Sequence, residues 1–245
     1  MLIGNFNRYH MIHLLPRPAE IAEIGVAEAD FSLKILELCE PRRLHLIDPW
    51  EHQGEAEYQL DPVNAASAEQ SRRYDRVAAR LAAPVAAGCI VLHRARSTVV
   101  RDRFADGQFD WVFVDGNHTY DGALADLRGY AAKVKPDGLI LCHDHTNGIV
   151  ARDLRFGVVE AVADFCGEGG WHVVALSTEA YPTVALARRQ DLAAVQRLRA
   201  GLILNIPGII EIEGYPRRLR FEHRCLTFDQ ERRLVPSFLP AGESP

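Results

Sequence analysis

The stretch Phe109-Asp-Trp-Val-Phe-Val-Asp-Gly-Asn-His-Thr-Tyr-Asp-Gly122 decides the fold of this chain. Trp111–Val114 is a short apolar run rich in β-branched and aromatic residues, which predicts a buried strand. The residues that follow it are mostly polar and predict a loop that begins at Asp115. In an open parallel sheet, ligands bind beyond the carboxyl ends of the strands, so this loop is placed to meet a ligand.

A second stretch has the same form. Gly138–Cys142 predicts another buried strand, and His143 and Asp144 follow it directly. If the two strands are neighbours, these residues meet Asp115 and His118 at one rim of the sheet. That rim is the candidate active site.

Strands and helices alternate along most of the remaining chain. Five strand–helix alternations and a final pair of strands predict a doubly wound α/β sheet. Residues 1–16 are expected to form a lead-in turn or short helix, and residues 49–62 form a polar loop long enough for a lid. The character changes near residue 190, which predicts a domain over 1–189 and an arginine-rich C-terminal extension over 190–245. Self-association is one role left open for that extension.

Composition narrows the function classes. The chain has 245 residues, of which 48% are hydrophobic and 25% charged, as in ordinary globular domains. Its net charge of −5 argues against electrostatic binding to nucleic acid or to an anionic membrane. It has no signal-peptide core, and its five cysteines include no C-x-x-C pair. We therefore expect a cytoplasmic protein that acts on a small molecule.

The first predicted strand ends in Glu23-Ile-Gly-Val-Ala-Glu-Ala-Asp30, at the position of a nucleotide-binding loop. Asp48 lies 23 residues after Gly25, near the roughly 20 expected for an acid that binds a ribose. The loop lacks two fingerprint glycines, and its acids lie where a pyrophosphate would bind. A cationic adenosine ligand, S-adenosylmethionine, therefore suits it better. The predicted cofactor-binding residues are Glu23, Gly25, Asp48, Ser97 and Asp115.

Four motifs together carry a resemblance to a known family. They are Glu23-Ile-Gly-Val, Ile47-Asp-Pro-Trp, Val114-Asp-Gly-Asn-His-Thr-Tyr120 and Gly138-Leu-Ile-Leu-Cys-His-Asp144. Over residues 19–188 the chain is similar to the class I S-adenosylmethionine-dependent methyltransferases. More narrowly, it resembles the small Asp-Gly-x-His-x-Tyr family related to the macrolide sugar O-methyltransferases. The resemblance implies a Rossmann-like sheet of about seven strands, the last antiparallel, before the C-terminal extension.

The resemblance also implies roles at the candidate site. In metal-dependent relatives, an Asp after the fourth strand and an acidic pair after the fifth hold a divalent ion. The matching residues are Asp115, His143 and Asp144, and His118 matches the position of a catalytic base. Carboxylates suit Mg²⁺, whereas a histidine in place of one acid shifts the preference toward Mn²⁺, Fe²⁺ or Zn²⁺. Ala29 occupies a position where a glycine is usual in the family.

These features predict O-methylation of a small-molecule hydroxyl, in a sugar or a phenol. The reaction requires that the hydroxyl be aligned and deprotonated, which a cation and an imidazole can do. Three alternatives remain open on the same sheet: a nicotinamide-dependent oxidoreductase, a metal-dependent hydrolase and a non-catalytic S-adenosylmethionine-binding protein. A structural role also remains open for His118, which could simply hydrogen-bond within its loop.

Overall fold

The structure is a computed structural model that describes residues 1–55, 58–228 and 231–242. Within these ranges, nine strands form one large sheet and two more form a separate hairpin. The strands are β1 (Leu2–Gly4), β2 (Glu20–Ile24), β3 (Arg43–Asp48), β4 (Ile90–Arg94), β5 (Phe109–Val114), β6 (Val134–Cys142), β7 (His172–Ser177), β8 (Val184–Ala187), β9 (Ile210–Glu211), β10 (Leu219–Phe228) and β11 (Glu231–Pro240). The helices are α1 (Arg8–His13), α2 (Asp30–Cys39), α3 (Ser67–Arg80), α4 (Ala82–Ala86), α5 (Ser97–Val100), α6 (Tyr120–Ala131), α7 (Ile149–Asp153), α8 (Val158–Gly167) and α9 (Ala193–Asn205).

The large sheet has the strand order β4-β3-β2-β5-β6-β8-β7-β1-β9. Strands β2 to β6 pair in parallel, whereas β8 is antiparallel to both of its neighbours. This confirms the predicted fold class, a Rossmann-like doubly wound sheet of about seven strands with the last one antiparallel. Two short strands that the sequence did not predict, β1 and β9, extend the sheet beyond β7.

The amino-terminal segment contains the expected short helix, α1, but a strand that was not expected precedes it. Residues 2–4 form β1, which pairs in parallel with β7, and helix α1 follows. A three-residue strand is too short to show a period of two, so its pairing comes from tertiary contacts. Asn7 caps α1 because its side chain accepts hydrogen bonds from the backbone N–H groups of Tyr9 and His10.

The core lies on both faces of the sheet. Along β5, Trp111 and Phe113 pack into one apolar cluster, and Val112 and Val114 pack into the cluster on the other face. Burying each such side chain contributes about 1.5–3 kcal/mol, so the continuous apolar run is stable only where helices cover both faces. This is why the apolar run Trp111–Val114 lies at the centre of the sheet.

The C-terminal extension packs against the rest of the chain. Helix α9 buries Val195, Leu198 and Leu202 in the same cluster as Trp111. Beyond it, Tyr215 and Phe221 join the cluster on the other face, and β10 pairs with β11 in a long antiparallel hairpin. No helix in the described parts of the chain is both long enough and apolar enough to cross a membrane. The domain boundary at residue 190 stays a prediction.

Candidate functional site

A cavity of about 590 Å³ opens at the carboxyl ends of the parallel strands. Its size lies within the range of roughly 300–1,000 Å³ that is usual for small-molecule sites. Every site residue chosen from the sequence lines it, which places the candidate cofactor and metal residues in one space. These residues are Glu23, Gly25, Asp48, Ser97, Asp115, His118, His143 and Asp144.

The loop after β2 turns sharply at Gly25. The backbone there has a φ of +85°, and a Cβ atom would lie 1.8 Å from the carbonyl oxygen of Asp115. The Gly25 N–H donates to the carbonyl of Ile47 at 2.9 Å. Only glycine fits here, because the loop after β2 lies directly against the start of the loop after β5.

Asp48 organises the loop after β2. Its Oδ2 accepts hydrogen bonds from the backbone N–H groups of Val26 at 2.9 Å and Ala27 at 3.0 Å. Its Oδ1 accepts from the N–H of Trp50 at 2.7 Å, and the Trp50 indole donates to the Ala27 carbonyl. A carboxylate has about four lone-pair positions, so Asp48 keeps capacity for one hydrogen bond from a ligand.

The two acids later in this loop are paired with arginines of α3. Glu28 accepts from Arg73 at 3.0 Å and from Arg76 at 2.8 Å, and Asp30 accepts from Arg80 at 2.6 Å. The hydrogen bond from Arg76 is the main reason that the pKa of Glu28 lies below its ordinary value. These charges are therefore compensated. The expectation that they select a cationic ligand does not hold, because the sequence alone did not show where α3 lies.

Glu23 is a buried acid with one carboxylate oxygen that has no partner among the described residues. Its side chain faces the cavity, the residue is 1% exposed, and its Oε2 makes no hydrogen bond. Burial raises its pKa well above the ordinary value. A buried polar atom of this kind is costly to leave unpaired, so it marks a position where a bound ligand would donate a hydrogen bond.

Ser97 donates a hydrogen bond to Asp126 Oδ1 at 2.5 Å, so its hydroxyl is already engaged. Burial raises the pKa of Asp126 to about 6. Asp126 was not among the site residues predicted from the sequence, although the sequence contains a signal for it. The residue lies on the inward face of α6, between the buried Leu124 and Leu127, where an acid is unusual.

Three side chains on the loops after β5 and β6 form a compact group. One ligand atom each from Asp115, His118 and Asp144 lies within 4.8 Å of the others. The Nε2 of His118 is 3.0 Å from Asp144 and 3.4 Å from Asp115. Two carboxylates and an imidazole are donors that Mn²⁺ or Fe²⁺ accept readily, so this group fits a divalent cation.

Asp61 adds a third carboxylate from the loop over residues 49–62, of which 56 and 57 lie outside the described residues. Its Oδ2 lies 3.3 Å from the Nδ1 of His118, and the residue is 7% exposed. Burial acts to lower the pKa of His118, but the hydrogen bonds to its three carboxylates outweigh burial and hold that pKa well above its ordinary value. The sequence indicated a lid at this loop, but it did not single out Asp61.

His143 lies beside this group but takes a different set of partners. Its Nδ1 lies 3.0 Å from the hydroxyl of Thr183, and its Nε2 contacts the guanidinium of Arg8. Both ring nitrogens are therefore engaged, and the group of side chains within 4.8 Å of one another contains His118 rather than His143. The role of His143 as a metal ligand stays a prediction. Its partner Arg8 reaches the site from α1, whose position the sequence did not indicate.

Comparison with known proteins agrees with this architecture. A family model described as a methyltransferase domain matches residues 22–145, just over half of the chain. The chain belongs to this family. The matched segment of the methyltransferase domain contains both the loop after β2 and the group of Asp115, His118 and Asp144. A comparison with curated protein sequences finds no match.

Solved structures share the fold of this methyltransferase domain at low identity. The O-methyltransferase TomG from Streptomyces achromogenes, solved in complex with S-adenosylmethionine, is 20% identical, with a TM-score of 0.51 over 73% of this chain and 78% of TomG. The pyocyanin biosynthetic protein PhzM is 15% identical, with a TM-score of 0.50 over 74% of this chain and 54% of PhzM. Spermidine synthase from Thermotoga maritima is 12% identical, with a TM-score of 0.50 over 85% of this chain and 65% of the synthase. The chain thus spans about half of PhzM and just under two thirds of the synthase.

Proposed function

We propose that this protein is an S-adenosylmethionine-dependent O-methyltransferase of small-molecule hydroxyls, related to the Asp-Gly-x-His-x-Tyr family. One observation carries the proposal. A single cavity joins the loop after β2, which belongs to the methyltransferase family match, to the carboxylate and imidazole group of Asp115, His118 and Asp144. The complex of TomG with S-adenosylmethionine is consistent with the same cofactor here.

The cofactor would lie along the loop after β2. S-adenosylmethionine would supply a methyl group bonded to a sulfonium. The acceptor oxygen would bond to this methyl carbon as the carbon–sulfur bond breaks, and S-adenosylhomocysteine would leave as the neutral thioether. Asp48 has capacity to accept one ribose hydroxyl, and Ser97 and Asp126 line the cavity where the adenine would lie. Glu23 and Asp115 would receive the amino group of the methionine part, which gives the orphaned Oε2 of Glu23 a donor.

Asp115 and Asp144 would hold a divalent cation, with His118 close enough to ligate it or to exchange protons beside it. Such a cation lowers the pKa of a hydroxyl that it binds. His118 is the proposed base, and Asp61 orients its ring through Nδ1. While all three carboxylates contact His118, its pKa is raised and the ring keeps its proton. His118 could therefore act as a base only when Asp115 and Asp144 bind the divalent cation instead of the imidazole.

The acceptor would enter past aromatic walls. The ring of Phe156 packs against His118 with 4.7 Å between their centroids, and Tyr58 and Tyr181 line the same cavity. Aromatic walls favour a planar phenol or the apolar face of a sugar, both of which carry a hydroxyl that could reach His118. The net charge of −5 supports an acceptor that is not a nucleic acid, and the same proposal takes the protein to be cytoplasmic.

Calorimetry and a methyl-transfer assay test the proposal. We expect the protein to bind S-adenosylhomocysteine, to bind Mn²⁺, and to methylate at least one member of a panel of phenols and sugars. Asp115→Asn should reduce turnover by about three orders of magnitude, because both the cation and the acceptor would lose their alignment. Asp121→Asn, which changes an exposed acid in the first turn of α6 directly after the loop that contains Asp115, is the matched control.

Other outcomes would support the alternatives. Binding of NAD without S-adenosylhomocysteine would favour an oxidoreductase, and hydrolysis of a test ester without either would favour a metal hydrolase. Tight binding of S-adenosylhomocysteine with no methylation of any acceptor would favour a non-catalytic binding protein. An Asp115→Asn variant with normal turnover would remove the metal from the proposal.

A further inference from the structure

The loop after β6, residues 143–148, has an unusual backbone at Asp144. The φ of Asp144 is +57°, a left-handed conformation that a residue with a side chain adopts at a cost in free energy. Residues persist in such conformations only where their surroundings hold them. Asp144 is also 7% exposed and contributes a carboxylate to the candidate cation site, so its position decides whether that site can form.

The three residues after Asp144 are each held by the C-terminal extension. The Nε2 of His145 forms a 2.5 Å hydrogen bond with the hydroxyl of Tyr215. The hydroxyl of Thr146 lies 3.1 Å from the Nδ1 of His223. Asn147 accepts from the backbone N–H of His223 at 2.9 Å and donates to the carbonyl of Phe221 at 3.2 Å.

Ring packing reinforces these hydrogen bonds. The imidazole of His145 lies between Tyr215 and Phe221, with ring centroids at 5.9 Å and 5.4 Å. Phe238 of β11 then packs on both of these aromatic rings. His145 is 0% exposed and Phe221 is 3% exposed, so the contact is part of the core. The loop is therefore held by segments at least 70 residues further along the chain, in addition to the hydrogen bond from the His145 N–H to the carbonyl of Pro182.

We propose that the C-terminal extension acts within its own chain as a clamp on residues 145–147 and thereby positions Asp144 for the divalent cation. Tyr215 and Asn147 are positioning residues in this scheme, since they contact neither the cation nor the cofactor. The inference rests on the proposed function, because it assigns a cation to Asp115 and Asp144. It also goes beyond it, because residues outside the matched methyltransferase segment complete the site.

Two point variants test the clamp without removing the extension. Tyr215→Phe keeps the aromatic ring in the core and deletes the hydroxyl that His145 uses. Asn147→Ala deletes both hydrogen bonds to the hairpin. Asn205→Ala is the matched control, because Asn205 also belongs to the extension and donates one amide hydrogen bond, to Gly201 within α9.

The readouts are the Kd for Mn²⁺ by electron paramagnetic resonance, the Kd for S-adenosylhomocysteine by calorimetry, and the oligomeric state by light scattering. Loss of a group that orients a metal ligand typically weakens metal binding by roughly 10- to 100-fold. We expect about a tenfold rise in the Mn²⁺ Kd for Tyr215→Phe and Asn147→Ala. The Kd for S-adenosylhomocysteine should stay within about twofold in all three variants, and Asn205→Ala should match the parent protein.

The outcomes separate this inference from the proposed function. Unchanged Mn²⁺ binding in both clamp variants would overturn the inference alone, as would a change only in oligomeric state. A parent protein that binds S-adenosylhomocysteine but no Mn²⁺ would overturn the inference and leave methyl transfer standing. A parent protein that binds no S-adenosylhomocysteine would overturn the proposed function itself.

Discussion

The loops after β2 and β6 line opposite parts of one cavity, and both contain strained backbone. Ala27 and Ala29 in the first and Asp144 in the second have φ values of 47°, 63° and 57°. The first loop is held by Asp48, 21 and 22 residues away, and by arginines of α3. The second is held by the carbonyl of Pro182 and also by the C-terminal extension, at least 70 residues away. Of the two loops, the one on the candidate cation side thus has hydrogen-bond partners in the C-terminal extension, whereas the partners described for the cofactor side lie in the first 80 residues.

The largest expected effect is a loss of stability from a substitution in the loop after β2. Gly25→Ala should lower the free energy of unfolding by more than about 3 kcal/mol, because the positive φ and the close carbonyl of Asp115 both exclude a side chain. That loss corresponds to a Tm decrease of about 6–12 °C, measured by differential scanning calorimetry. Gly88→Ala separates the two causes, because Gly88 has a φ of +74° but open space around it. The free energy of unfolding of Gly88→Ala should fall by only about 1 kcal/mol. An equal fall in both variants would contradict a steric role for the Asp115 carbonyl beside Gly25.

A smaller effect is expected from Asp48→Ala. It leaves three backbone N–H groups without their carboxylate, which should cost about 2–3 kcal/mol. Urea denaturation measures this loss, and the affinity for S-adenosylhomocysteine should fall with it while Mn²⁺ binding is retained. Asp48→Asn keeps one acceptor oxygen and should lose less. If both variants lost Mn²⁺ binding as well, the two loops would not be supported independently.

The smallest expected effect is a gain in stability that depends on pH. The carboxylates that contact His118 are paired with it, whereas Asp126 accepts a hydrogen bond from the neutral hydroxyl of Ser97, and burial raises its pKa to about 6. The folded state therefore keeps the Asp126 proton that the unfolded state releases, and stability falls as the pH rises from about 4 to about 6. Asp126→Asn should raise the free energy of unfolding by about 1–2 kcal/mol at pH 7.5 and change it little at pH 4.5. A gain of equal size at both pH values would exclude burial of the ionised carboxylate as the cause.

Much of the candidate site could be predicted because the carboxyl ends of parallel strands meet at one edge of a sheet. Apolar runs located β5 and β6, and this placed Asp115, His118 and Asp144 in the same cavity. Asp61 could not be predicted in the same way, since it reaches His118 from a loop without a periodic pattern. Arg8 was missed for a related reason, because nothing local indicates that α1 packs beside His143.

The sequence by itself determined the central strands of the sheet and the turn at Gly25. Buried strands need unbroken apolar runs, and the turn at Gly25 needs a residue without a side chain, so both requirements are visible in single residues. Only the tertiary structure decided which histidine joins Asp115 and Asp144. The direction of a side chain in a loop depends on its partners, and here these come from α1, from residues 49–62 and from the C-terminal hairpin.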